Sequence, residues 1–208
     1  MDNAVIQDGS LSIAPIAFGD WRILRNSFKP YAACHLIHPA IDAARALRTG
    51  GVDVAAAGAV RADVGALAMK ITGGGDGHPG TPLAGKFDLR YCLALALHGR
   101  DVSAADFREP WALEPAIAKT AGKIAAFVHP DMGFASATVT IGGVAEHVAV
   151  AKGHPGTPMG WADMGSKFGG LAEPALKGRS GDMFGLLRRF GQGCALAEMR
   201  SILGSLHA

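Results

Sequence analysis

The pattern that most restricts the fold lies at residues 136–151. Thr138, Thr140 and His147 alternate with Val139, Ile141 and Val148, and Gly142-Gly143 sits between the two runs. Period-two alternation marks strands with one wet and one dry face, and a Gly-Gly pair supplies the positive φ angles of a tight hairpin. The reading is two antiparallel strands, Ser136 to Ile141 and Val144 to Ala151, with further strands at Lys123 to Val128 and Val52 to Ala62. Helical spacing dominates elsewhere. Pro39 suits a first helical turn, Ala40, Ile41, Ala43, Ala44 and Leu47 form an apolar face, and Gly50-Gly51 ends it. Leu89, Cys92, Leu93, Ala96 and Leu97 share a face of a helix expected over Thr81 to His98. Ala112 to Ala121, Ala162 to Leu176 and Met183 to Leu206 are three more expected helices. Ala66 to Thr72 fits either a short helix or an extended piece. Together these elements predict an α+β fold, a mixed and largely antiparallel sheet packed with helices.

A chain of 208 residues can bury a core without metal or disulfide help. Residues 1–20 read as a lead-in and 21–208 as one domain, with Trp21 to Phe28 a short extended segment. The run Ile71 to Gly80 is a glycine-rich loop. It lacks the Lys-Ser/Thr of a P-loop and has no G-x-G-x-x-G unit, so a flexible connector is expected. The 20 basic and 18 acidic residues are spread along the chain, which argues against nucleic acid as a partner. No apolar run reaches the ~18 residues of a membrane span, and Met1 to Gly9 lack the pattern of a secretory signal. Cys34, Cys92 and Cys194 are far apart and odd in number, so free thiols in a reducing cytoplasm are expected.

Chemistry concentrates at Asn26 to Ala44, where Lys29, Tyr31, Cys34, His35 and His38 fall within ten residues before a helix. Lys29 precedes Pro30, which disfavours helical geometry at Lys29. A lysine on such a turn can present its ammonium to a carboxylate, or simply face solvent. Cys34 and His38 have the i, i+4 spacing of a metal pair on a helix. No second pair accompanies them, and no metal is expected. His35 and His38 suit general acid–base work, since imidazole titrates near neutrality, or else packing at a helix start. Asp42, one turn beyond His38, can orient its imidazole or act as an ordinary first-turn acid. Tyr91 can donate to a substrate oxygen or hydrogen-bond within the fold.

Three blocks resemble the C-terminal domain of the MmgE/PrpD family, which includes 2-methylcitrate dehydratases and cis-aconitate decarboxylases. The first runs from Phe28 to Ala44. The second, Thr81-Pro82-Leu83-Ala84-Gly85-Lys86-Phe87-Asp88-Leu89-Arg90-Tyr91-Cys92-Leu93-Ala94, is similar to a family stretch T-P-L-x-A-K-F-S-L-x-Y-C-x-A, with Gly85 and Asp88 departing from the usual Ala and Ser. The third, Lys152-Gly153-His154-Pro155-Gly156-Thr157-Pro158 and on to Ala172, resembles a K-G-x-P-x-x-P motif and the helix after it.

The resemblance implies an α+β lid that closes over a large helical domain, with a cofactor-free active site between them. Members act on small polycarboxylic acids. By this resemblance Lys29 and His38 bind substrate, and Cys34 and Tyr91 are catalytic. Cys34 falls where cis-aconitate decarboxylases carry histidine and many bacterial members carry cysteine, which argues against decarboxylase activity; the expected activity is that of a dehydratase-type carbon–oxygen lyase. The family's catalytic histidines sit on the helical domain, which is expected to be absent here and supplied by another chain. A homodimer is a further option. The alternative is a non-catalytic carboxylate-binding or interaction domain.

Overall fold

The computed structural model describes residues 22–110, 112, 114–192 and 195–205. The lead-in 1–20 and Cys194 lie outside them. Four strands form one sheet in the order β2-β1-β3-β4, with β1 at Val60–Val64, β2 at Ile124–Val128, β3 at Ala137–Ile141 and β4 at Val144–Val148. β1 runs parallel to β2, pairing Val60 with Ile124, and antiparallel to β3, pairing Ala62 with Val139. β3 and β4 form the expected hairpin, with Gly142 and Gly143 at φ 56° and 83°. Both central residues in the left-handed region match the turn to the twist of the strands. Ala137, Val139 and Ile141 face the core while Thr138 and Thr140 are half-buried, so the one-wet-face reading of β3 holds.

The helices cover the dry face. α1 spans His38–Thr49 after a 3-10 turn at His35–Ile37, with Pro39 in its first turn, and packs on β3, β4 and α4. Gly50 closes it and Gly51 turns the chain at φ 84°. The short helix at Ala66–Thr72 is α2. The helix expected over Thr81 to His98 is two, α3 at Pro82–Lys86 and α4 at Leu89–Leu97. The break has a cause in side-chain capping. Thr81 accepts from the Ala84 N–H and Asp88 from the Tyr91 N–H, so each starts its own helix. α5 is Pro115–Ala121.

The strand expected from Val52 begins only at Val60, because the Asp53 carboxylate accepts the N–H groups of Ala55 and Ala56 and holds a turn there. Arg22–Arg25 is a 3-10 turn rather than extended chain. The glycine-rich loop is not a free connector. The Arg90 guanidinium donates to the carbonyls of Gly73, Gly75 and Ile124, and Asp88 accepts the Gly77 N–H at 2.9 Å.

The C-terminal helices are α6 at Trp161–Leu176, α7 at Ser180–Arg188 and α8 at Ala195–Ser205, so the last expected helix is also divided. They enclose a small core of their own, Leu176, Met183, Leu186 and Ile202, separate from the main core. Phe184 packs between Trp161 and Phe168. Among the described residues no helix is long and apolar enough to cross a membrane.

Candidate functional site

A cavity of about 500 Å³ opens where the segment after the first 3-10 turn meets the loop 149–160 and α6. Lys29 lies on that segment, outside any helix or strand. Backbone bonds hold the walls together. Phe28 donates to the Gly153 carbonyl at 2.8 Å, Ala32 to the Val102 carbonyl at 2.9 Å and Cys34 to the Lys86 carbonyl at 2.8 Å. Val102 carries part of this frame at a cost. It is buried at φ 53°, and a β-branched side chain in the left-handed region costs roughly 1–3 kcal/mol.

Asp42 is the junction of two walls. Its Oδ1 accepts from the Tyr31 hydroxyl at 2.5 Å and its Oδ2 from the Lys152 N–H at 2.7 Å. Burial first, then the Asp42 carboxylate, raises the Tyr31 phenol well above its ordinary value, so it remains a fixed donor. Asp42 therefore does not orient His38, as its spacing had suggested.

The charge on the walls is lopsided. Lys29, Arg45, Lys86, Lys152 and Lys167 face Asp101 and Asp163. Lys152 is 2.5 Å from Asp163, and Arg45 is 3.8 Å from Asp101. The Lys152 ammonium and the Gly160 N–H hold the Asp163 carboxyl below its usual range. Lys29, Lys86 and Lys167 have no acidic partner among the described residues. Three uncompensated ammonium groups on a concave wall suit an anion. They also suit charge that builds on a carboxylate when a proton leaves the neighbouring carbon.

The sequence candidates part company here. Lys29 lines the cavity. Cys34 is free, half-buried and on the same segment, though not on the cavity wall. It precedes the 3-10 turn with φ −57° and ψ 135°, so it shares no helical face with His38. Among the described residues no group of three His, Cys, Asp or Glu gathers as a metal site would need.

His38 is 0% exposed. Its Nε2 lies 3.3 Å from the Ala33 carbonyl, which can only accept, so Nε2 carries the proton and Nδ1 is a bare acceptor without a partner among the described residues. The ring stacks on His35 at 4.9 Å and meets the Tyr31 ring edge-on at 5.2 Å. Burial pushes its pKa down to about 3, against the Ala33 hydrogen bond and aided by His35, Lys29 and Lys167. It is a neutral prop beneath the segment that bears Lys29, not a group on the cavity wall.

Tyr91 is 1% exposed, lies against Phe107 and donates its hydroxyl to the Asp106 carbonyl at 2.5 Å. Burial, then Asp106 and Cys92, push its pKa up to about 12. It borders a second, smaller cleft with Arg100 and Glu114 and does not join Lys29. Tyr91→Phe is accordingly expected to lower stability by about 1–2 kcal/mol, since it leaves a polar partner unpaired. Urea unfolding measures this, and citrate affinity should stay unchanged.

Lys86, Lys152 and Lys167 stand in the family-like blocks, yet residue type alone singled out none of them. The available signal was the i, i+4 pair Asp163 and Lys167 following the lysine that opens the K-G-x-P block.

Fold and cavity together define an α+β domain with a cation-rich cleft between the Lys29 segment, α1 and the loop at 101–104 on one side and α6 on the other. The chain belongs to the MmgE/PrpD family: the family's C-terminal domain matches residues 31–187, which include every cavity cation except Lys29. No curated protein matches the chain.

Proposed function

We propose that this domain is the lid of an MmgE/PrpD-type carbon–oxygen lyase, a dehydratase acting on a small polycarboxylic acid. The observation that carries the reading is the set of lysines around one cavity that have no acidic partner among the described residues. Lys29 binds a substrate carboxylate. Cys34, free and half-buried on the same segment but off the cavity wall, handles a proton in this reading only where the docked helical domain extends the site to it. Tyr91 and His38 support the walls from the core.

The remaining acid–base groups come from the family's helical domain. Exposed apolar side chains beside the cavity support this arrangement. Leu171, on the cavity wall, is 59% exposed and Phe28, next to Lys29, is 50% exposed, a pair that a docked domain would cover.

Lys29→Ala tests the ligand assignment. A charge-assisted hydrogen bond is worth roughly 1.5–3 kcal/mol, so citrate affinity is expected to fall about ten- to hundredfold. The fold should survive, because Lys29 is exposed. Lys29→Arg should restore only part, since a planar fork does not reproduce a point ammonium. Equal affinities of wild type and Lys29→Ala by calorimetry would remove Lys29 from the site.

A further inference from the structure

The proposed site contains a second cation whose geometry resembles a ligand more than a strut. Lys167 lies on α6, one turn after Asp163 and so on the same face. The carboxylate that would ordinarily pair with it is already engaged, because Asp163 accepts from Lys152 at 2.5 Å and from the Gly160 N–H at 3.0 Å. Lys167 instead reaches across 138 positions of sequence and donates to the carbonyl oxygen of Lys29 at 2.5 Å. That contact uses one of the three N–H bonds of an ammonium, which leaves two donors and the whole charge beside the cavity. Lys29 and Lys167 therefore line the same cavity, one from the segment before α1 and the other from α6. Both act electrostatically on the ring of His38 beneath them. Two such charges repel each other unless an anion lies between them.

We infer that Lys167 is a second carboxylate ligand: with Lys29 on one carboxylate, Lys167 is the residue that binds another carboxylate of the same acid. The inference rests on the reading of the cavity given above and adds this second ligand to it. Lys29 holds one carboxylate. Lys167, fixed to the backbone of Lys29, keeps a constant offset from it and meets another. Lys152 is excluded from this role because Asp163 neutralises it.

Calorimetric titration of the purified chain with citrate and with acetate, at constant ionic strength, tests this on wild type, Lys29→Gln, Lys167→Gln and Lys167→Arg. Glutamine removes the charge and keeps a side-chain N–H for the Lys29 carbonyl on a chain one bond shorter, and the acetate titration reads any effect of that shortening on the Lys29 segment. Lys167→Gln is expected to weaken citrate about tenfold and leave acetate unchanged, with Lys167→Arg recovering part of the loss. Three outcomes overturn it. If Lys29→Gln weakens citrate and Lys167→Gln does not, Lys167 is no ligand and the reading of the cavity stands. If Lys167→Gln weakens citrate and acetate equally, the residue acts only through the Lys29 segment. If wild type binds neither acid, the reading of the cavity fails and this inference fails with it.

Discussion

Between pH 6.5 and 5 the wild-type fold is expected to lose about 2 kcal/mol of stability that a His38→Gln variant retains. The cause is burial. The imidazole of His38 is fully enclosed, and its pKa falls from 6.5 to about 3. Below pH 6.5 the unfolded chain takes up a proton at this position and the folded chain does not. The unfolded state then binds more protons, so stability decreases as pH falls, and the loss continues until the folded pKa near 3. Over the whole window it reaches on the order of 4–5 kcal/mol, a large share of a domain's total stability.

His35 and His98 are also lowered, each chiefly by burial, and they add to the slope in both proteins. The difference between wild type and His38→Gln isolates His38, because glutamine keeps an N–H for the Ala33 carbonyl and does not titrate. Urea unfolding at several pH values gives the two curves. Parallel curves would mean that His38 is protonated within the fold, and its role as a neutral prop would be wrong.

Gly153→Ala is expected to destabilise the fold by about 2–4 kcal/mol and to abolish citrate binding. Gly153 is buried at φ 89°, a region that side chains with a Cβ rarely adopt. A Cβ there would overlap the carbonyl oxygen of Phe28 and press on Pro30 at 3.2 Å. The loop would have to retreat, and its carbonyl could no longer accept the Phe28 N–H. That retreat separates the wall carrying Lys152 from the wall carrying Lys29. Gly156→Ala is the control, because its nearest contact would be an ordinary 3.4 Å to the His154 ring. It should stay within about 0.5 kcal/mol of wild type. Equal effects of the two substitutions on unfolding and on citrate binding would show that close approach at Gly153 does not hold the cavity together.

The legible parts of this protein were local. The Thr138 to Val148 alternation around Gly142-Gly143 carried the hairpin, because strand faces and left-handed turns depend on a few adjacent residues. Pro39 and Gly50-Gly51 bounded α1 within a residue for the same reason. Boundaries slipped where a side chain competed with the backbone. Asp53 held a turn where a strand was expected, and Asp88 restarted a helix that looked continuous. Asp88 also ties down the glycine loop, which composition alone made look free.

The site divided along the same line. The run from Lys29 to Asp42 stood out as reactive, and the α+β class and the family resemblance both hold. Residue type could not separate the exposed Lys29 from the enclosed His38, nor send the Tyr91 hydroxyl to the Asp106 carbonyl. Lys167 and Lys152 had no mark of their own until α6 and the loop at Gly153 closed on the Lys29 segment. Secondary structure and family were determined by the sequence itself, since period, caps and turn chemistry act over a few residues. Burial, protonation and the membership of the cavity were decided by tertiary structure, since each depends on what residues far apart in the chain take from water or give to one another.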